Sequence, residues 1–158
     1  MDAPVAQKAV GLTVLGIGGA GSNALAHLSR HGFDGVRFAA LNTDAAALRQ
    51  SPVESKLVLG SKSRRGLGAG SDPELGRAAA VEDAEKIRTF CEGAGVVFIV
   101  AGLGGGTGTG AAPVVARIAH EAGALVMAIV VLPFECEGGP GDGRHKPACR
   151  NSSGRRMR

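Results

Sequence analysis

Two glycine-rich segments of this sequence have the composition of loops that hold phosphate groups. The first is Gly16-Ile17-Gly18-Gly19-Ala20-Gly21, and the second is Gly104-Gly105-Gly106-Thr107-Gly108-Thr109-Gly110. Glycine lets the main chain approach phosphate oxygens closely and adopt positive φ, both of which a β-carbon obstructs. Where such a segment begins a helix, its unpaired N–H groups and a partial charge of about +0.5 favour an anion. The pattern therefore predicts phosphate binding by the main chain.

The charge of the ligand has to be balanced without a lysine. No lysine lies between Lys86 and Lys146, so the second segment lacks the Gly-Lys-Ser/Thr ending of a Walker P-loop. A nucleoside triphosphate carries about −4, and Mg²⁺ offsets two of these charges. Two helix ends at about +0.5 each would leave about −1, which an open surface tolerates. A triphosphate ligand would therefore bring Mg²⁺ with it.

The first segment also matches the dinucleotide fingerprint G-x-G-x-x-G, with Asp44 as the ribose acceptor. Asp44 has a second interpretation as an ordinary helix cap. A nicotinamide-binding fold has no need of the second segment, whose five glycines in seven residues are explained better by a ligand than by packing. An NAD-dependent oxidoreductase is the enzyme alternative.

The elements around these segments predict an α/β fold, an open and mostly parallel Rossmann-like sheet of about five strands with helices on both faces. The apolar runs predict strands at 10–15, 36–41, 56–59, 96–101 and 125–132. Helices are predicted at 22–30, from Pro73 onward with Val81, Ala84, Ile87 and Cys91 on one apolar face, and at 112–122. Every glycine-rich loop then follows a strand, at the sheet edge where ligands bind.

The composition indicates a soluble globular chain with a single folded domain. Of 158 residues, 44% are apolar and 20% charged, which is too apolar for a disordered chain. No apolar run reaches the ~18 residues of a membrane helix, so no membrane insertion is expected. The start at Met1 carries no signal-like pattern, and a cytoplasmic location is expected. We expect a flexible N-terminus at 1–9, the domain at 10–138 and an unfolded tail at 139–158.

The excess positive charge lies in that tail. Residues 139–158 hold six of the 18 Lys and Arg residues and one of the 14 Asp and Glu residues, so the tail carries +5 and the remainder −1. The domain itself therefore gives no charge argument for nucleic acid. The three cysteines are odd in number and unpatterned in spacing, which predicts free thiols.

Five segments together resemble the FtsZ family of bacterial cell-division GTPases, which are relatives of tubulin. They are GIGGAGSN at 16–23, NTDAAAL at 42–48, RGLGAGSDPE at 65–74, AGLGGGTGTGAAP at 101–113 and PFECEG at 133–138. The GGGTGTG element is highly specific to the tubulin/FtsZ superfamily. The resemblance implies that the chain binds GTP or GDP, with Mg²⁺ accompanying the triphosphate, and that its lineage assembles into the division ring with other FtsZ subunits.

The resemblance also assigns the binding residues. The phosphates would contact Gly18, Gly19, Ala20, Gly21, Ser22 and Asn23, together with Gly104, Gly105, Gly106, Thr107, Gly108, Thr109 and Gly110. A loop of Gly68, Ala69, Gly70 and Ser71 would sense the γ-phosphate. Asn42 and Asp44 would lie near the Mg²⁺ and nucleotide edge, and Glu137 would contact the ribose. Glu137 has the alternative interpretation of a solvated loop carboxylate.

The resemblance ends after Gly138. Where the family has an arginine near the nucleotide, this chain has Gly141. The family continues with a helix that recognises guanine and a second domain whose acidic loop completes hydrolysis in the neighbouring subunit. We therefore expect a truncated or frame-shifted product with an uncovered apolar sheet face, weakened nucleotide affinity and little or no GTP turnover alone. A non-catalytic module that caps or interferes with FtsZ filaments is the other alternative.

Overall fold

The computed structural model describes residues 10–133, so Glu137 and the segments 1–9 and 134–158 lie outside the described residues. The strands are β1 (Leu12–Ile17), β2 (Val36–Asn42), β3 (Ser55–Val58), β4 (Val96–Gly102) and β5 (Leu125–Val131). The helices are α1 (Gly18–Leu28), α2 (Ala45–Gln50), α3 (Ser61–Arg64), α4 (Pro73–Glu82), α5 (Ala84–Cys91) and α6 (Gly106–Glu121). A short 3-10 turn (Ser29–His31) follows α1.

The five strands form one parallel sheet in the order β3-β2-β1-β4-β5. This confirms the predicted α/β class. From β1 the chain builds outward to β2 and β3, and it then returns to place β4 and β5 on the other side of β1. The order therefore reverses between β1 and β4, and such a switch point opens a crevice at the carboxyl ends of the strands.

Alternating residues of the strands divide the core between two faces. On one face Leu15, Ile99 and their neighbours pack against α4, α5 and α6, and both side chains are fully buried. On the other face Val14 and Val100 pack with Leu25 of α1. Burial on both faces explains why β1 and β4 are almost continuously apolar in sequence.

The edge strand β5 is largely uncovered. Leu125, Met127, Ile129 and Val131 on one face are between 47% and 63% exposed, whereas on the opposite face Val126 packs against the core beside α6 and Val130 is 44% exposed. Within residues 10–133 this leaves an apolar stripe without a covering helix.

No helix in the described part of the chain is long and apolar enough to cross a membrane.

The glycine-rich segments differ from the prediction in where the helices begin. Gly16 and Ile17 belong to β1, where Ile17 is in register with Leu41 and Ala101. Helix α1 starts at Gly18 and α6 at Gly106, several residues earlier than predicted. The predicted starts were late because glycine has a poor helix propensity, which tertiary packing overrides here.

The long helix predicted after Pro73 is broken at Asp83. The Asp83 carboxylate is buried, accepts the Gly60 N–H at 2.7 Å and pairs with the Lys86 ammonium at 2.6 Å. These bonds tie Asp83, at the end of α4, to the segment after β3. Because the helix is interrupted at Asp83, the apolar side chains of α5 do not continue the buried face of α4. Val81 is consequently 51% exposed, so its assignment to one apolar face with Ile87 was wrong.

Glycines allow α4 and α6 to approach each other at backbone distance. A β-carbon added to Gly110 would overlap the carbonyl oxygen of Pro73, and one added to Gly76 would overlap the carbonyl oxygen of Gly106. These positions face main chain rather than flexible side chains, so a larger residue cannot be accommodated by a rotamer change. The contact fixes the start of α6 against the start of α4.

We expect Gly110→Ala to lower the free energy of unfolding by about 1–3 kcal/mol, because the added methyl forces the two helices apart. Gly19→Ala is the matched control, since a β-carbon there has nothing within 4 Å. Urea denaturation followed by circular dichroism measures both. A Gly110→Ala chain as stable as the control would contradict the packing described here.

Candidate functional site

Helices α1 and α6 begin side by side at the switch point. Gly18, the first residue of α1, has φ +73°, and a β-carbon there would lie 3.0 Å from the nitrogen of Gly108 and 3.5 Å from the β-carbon of Thr107. Gly108 itself leaves no room for a β-carbon, which would overlap the carbonyl oxygen of Gly102. The two glycine-rich segments therefore meet, and we call the surface formed by residues 18–23 and 104–110 the glycine rim.

The helices at this edge of the sheet differ in how their first N–H groups are satisfied. Asp44 caps α2, since its Oδ1 accepts from the N–H groups of Ala46 at 2.8 Å and Ala47 at 3.0 Å. Asp72 caps α4 by accepting from Glu74 at 2.9 Å. In the described part of the chain, the N-cap residues of α1 and α6, Ile17 and Gly105, make no side-chain cap bond.

Uncapped N–H groups at two adjacent helix ends favour an anion, because both macrodipoles place positive charge at the same point. Helix α1 has 11 residues and α6 has 16, so each has several turns of aligned peptide dipoles. No lysine or arginine occurs in segments 16–23 or 104–110. The attraction at the glycine rim is therefore a property of the main chain.

Space for a ligand lies above both helix starts. Gly19 and Gly105 are exposed, and a β-carbon at either would have nothing within 4 Å. The turn before α6 is shaped by Gly104, which has φ +107° and donates its N–H to Thr109 Oγ1 at 2.9 Å. A phosphate can therefore approach the main chain from solvent at these two positions.

The glycines of the second segment differ in what requires them, which corrects the expectation that a ligand explains them better than packing. Gly106, Gly108 and Gly110 are required by packing: for example, a β-carbon on Gly106 would lie 2.6 Å from the Gly70 carbonyl oxygen. Gly104 is required by its positive φ. Gly105 has neither requirement, so it is the position in this segment whose open space a ligand best explains.

The loop 65–72 joins the glycine rim through Thr43. The Gly68 N–H donates to the Thr43 carbonyl at 3.0 Å, and the Ala45 N–H donates to the Gly66 carbonyl at 3.1 Å. The Thr43 hydroxyl is hydrogen-bonded to the hydroxyl of Thr107 at 2.6 Å. The structure thus brings together the segments that follow β2, β3 and β4, all of which the sequence assigned to the site.

Asn42 and Asp44, assigned by resemblance to the Mg²⁺ and nucleotide edge, have structural roles of their own. The Asn42 carbonyl accepts the Leu59 N–H at 2.8 Å, and its side-chain Oδ1 accepts the Asp44 N–H at 3.3 Å. The bonds from Asp44 to α2 confirm its interpretation as a helix cap. Among residues 10–133 no group of three or more His, Cys, Asp or Glu side chains could hold a metal ion.

The other assigned residues fall into exposed and buried sets. Gly19, Ala20, Asn23, Gly70 and Ser71 are exposed, whereas Gly21, Ser22 and Ala69 are buried. Ser22 is 5% exposed, and its Oγ is one of two buried side-chain oxygens without a hydrogen-bond partner among the described residues. Thr43 was not singled out from the sequence, and its place in NTDAAAL beside Asn42 was the only signal that could have found it.

Shifted pKa values occur away from the glycine rim. The Ser63 hydroxyl and the Lys62 N–H lower the pKa of Glu82 at the end of α4. Burial raises the pKa of the Cys91 thiol at the end of α5. Neither group is placed to act on a ligand above α1 and α6.

A groove of about 790 Å³ lies at the opposite edge of the sheet, at the amino ends of β1, β2 and β3. Phe33, Phe38 and Phe90 line it, and so does Thr13, whose buried Oγ1 has no partner in the part of the chain that the structure describes. None of the residues assigned to the site from the sequence lines this groove.

Comparison with known proteins gives matches to one protein family. Residues 11–143 match the family model described as the GTPase domain of the Tubulin/FtsZ family. A solved structure titled as an empty FtsZ dimer from M. jannaschii is 43% identical with a TM-score of 0.89, and the match covers 93% of this chain and 43% of that one. A W319Y mutant of the M. jannaschii FtsZ is 46% identical with a TM-score of 0.81, over 89% of this chain and 41% of that one.

A third solved structure matches over a similar length of this chain. CetZ2 from Haloferax volcanii, solved as a protofilament bound to GTPγS, is 34% identical with a TM-score of 0.77. The match covers 89% of this chain and 45% of that chain. The chain therefore spans less than half the length of the solved proteins that it matches.

We expect Asp44→Ala to lower the free energy of unfolding by about 1 kcal/mol, because the first N–H groups of α2 lose their acceptor. Asp44→Asn is the matched variant, since asparagine caps equally well but carries no charge. Chemical denaturation should therefore separate the alanine variant from both the asparagine variant and the wild-type chain. Equal stability of all three would contradict the capping role.

Proposed function

This chain belongs to the tubulin/FtsZ family, and we propose that it binds a guanine nucleotide, GTP or GDP, by its phosphates at the glycine rim. The observation that carries the proposal is the pair of adjacent, uncapped helix N-termini of α1 and α6. Two converging helix starts, neither with a side-chain cap among residues 10–133, suit a chain of phosphates better than a single anion. The switch-point position between β1 and β4 supports the same ligand.

In this proposal the phosphates are held by main-chain N–H groups of residues 18–23 and 104–110. Gly19 and Gly105 are the positions with open space above them. The loop of Gly68, Ala69, Gly70 and Ser71 lies next to a terminal phosphate, since Gly70 packs against the first residue of α6. Mg²⁺, when bound with a triphosphate, would neutralise part of its charge, and the family resemblance assigns Asn42 and Asp44 to its neighbourhood.

Recognition of the base is a separate part of the proposal. Main-chain N–H groups bind any phosphate chain and cannot distinguish guanine from adenine, so specificity needs side chains at the base. In the family those side chains come after the part of the sequence that the resemblance covers, which ends at residue 138 here. Glu137 is the proposed ribose contact. We infer that the glycine rim holds the phosphates of any nucleotide and that discrimination between bases depends on side chains outside it.

We further propose that the chain associates with FtsZ-family subunits in the cytoplasm, at the division site. The solved relatives include an FtsZ dimer and a CetZ2 protofilament, which supports self-association. Hydrolysis in this family needs water positioned at the γ-phosphate and activated by carboxylates of the neighbouring subunit. The rim of this chain supplies phosphate binding and orientation only.

Binding is tested by titrating the 158-residue chain with GTP, GDP, ATP and NAD in a calorimeter, with and without Mg²⁺. We expect GTP and GDP to bind more tightly than NAD. Gly19→Asp should weaken GTP binding at least about tenfold, because it places a carboxylate where the phosphates approach. Ala78→Asp, at an exposed position of α4, is the control with the same change in charge. A folded chain that binds none of the nucleotides would contradict the proposal.

Turnover is tested by measuring phosphate release from GTP by the chain alone. We expect release at the background rate, because the carboxylates that activate water belong to another part of the family's fold. The control is Gly19→Asp, which should give the same background. Sustained release that is lost in Gly19→Asp would show that the chain is a complete catalyst and would overturn this part of the proposal.

A further inference from the structure

The side chain of Thr43 is fully buried at the point where three strand ends meet. Its hydroxyl lies 2.6 Å from the hydroxyl of Thr107, across 64 residues of sequence. Its carbonyl accepts the N–H of Gly68, and the carbonyl of Asn42 beside it accepts the N–H of Leu59. The main chain is therefore held at Asn42 and Thr43, and the buried Thr43 side chain has its hydroxyl on that of Thr107.

Thr107 occupies the first turn of α6, within the glycine rim. Its side chain is 9% exposed and lies against Gly18, the first residue of α1. Its main chain lies against Gly76 of α4, where an added β-carbon would be 3.0 Å from the Thr107 α-carbon. The Thr107 hydroxyl is thus a side-chain donor at the junction of the two helix starts.

The two hydroxyls share one hydrogen bond, and a hydroxyl has a single proton to donate. If Thr107 donates to Thr43, its proton is used and it offers nothing to a ligand. If Thr43 donates to Thr107, the Thr107 proton is free for a second acceptor. A phosphate at the rim is an anionic acceptor, and hydrogen bonds to charged groups are stronger than neutral ones. An anion at the rim therefore favours the second arrangement.

We propose that Thr43 is a positioning residue for nucleotide binding: it donates its proton to Thr107 and so directs the Thr107 proton to a phosphate oxygen. The inference rests on the proposed function, because it assumes that a phosphate chain occupies the rim. It goes beyond that function by assigning a role to a residue that contacts the ligand only through another. A chain of two aligned hydroxyls also strengthens each bond by polarisation.

The test uses two pairs of variants that differ only by the hydroxyl. Thr43→Val keeps the shape of threonine and loses the hydroxyl, and it is compared with the wild-type chain. Thr43→Ala is compared with Thr43→Ser, both of which lack the methyl group. GTP affinity is measured by calorimetry, and the melting temperature of each free chain is recorded beside it. We expect each pair to differ about tenfold in GTP affinity, and Thr43→Ser to bind nearly as well as the wild type.

The route through Thr107 is tested by combining Thr43→Val with Thr107→Val. If Thr43 acts through Thr107, the double variant binds GTP as weakly as Thr107→Val alone. A further loss equal to that of Thr43→Val by itself would overturn this route. If Thr43→Val does not fold, the Ser and Ala pair decides the role of the hydroxyl.

Three other outcomes are distinct. Equal GTP affinity within both pairs, in chains that bind GTP, would overturn the role of Thr43 and leave the proposed function intact. A folded wild-type chain that binds no nucleotide would overturn the proposed function and this inference together. A loss of affinity in Thr43→Ser and Thr43→Ala, with wild-type affinity in Thr43→Val, would show that the methyl group matters rather than the hydroxyl, and would overturn the role of the hydroxyl.

Discussion

The close approach of α1 and α6 at the switch point is the constraint on which the rest of the structure depends. It requires β1 and β4 to be neighbours, which in turn places β2 and β3 on one side and β5 on the other. It also requires glycine where the helices meet, because Gly18 lies against the main chain of Gly108. Two helix ends at this distance concentrate positive potential on main-chain N–H groups without any basic side chain.

A binding surface made of main chain has to be supported by packing that is unusually close. Gly76, Gly106 and Gly110 let α4 press against α6, and Gly21 lets α1 press against the carbonyl of Val100. These glycines do not contact solvent, so their role is to place Gly19 and Gly105, which do. Each glycine loses conformational entropy on folding, and some of these glycines are required by packing whereas others leave room for a ligand.

The fold could be predicted from the sequence because its strongest signals are local. The apolar runs of β1 and β4 and the glycine-rich segments that follow them locate the binding edge. What could not be predicted depends on contacts between distant residues. The break at Asp83 arises from its bond to Gly60, and the role of Thr43 arises from its bond to Thr107. In the same way, the starts of α1 and α6 are set by helix packing, which the helix propensity of the residues does not predict.

The geometry of the glycine rim is determined by the sheet. All of the main-chain groups at the glycine rim belong to the segments that follow β1 and β4, and their geometry is set by the register of those two strands. Recognition of a base or a sugar needs side chains, and none of the rim glycines provides one. The order of the sheet therefore accounts for the proposed phosphate contacts, whereas discrimination between bases has to come from side chains outside the rim glycines.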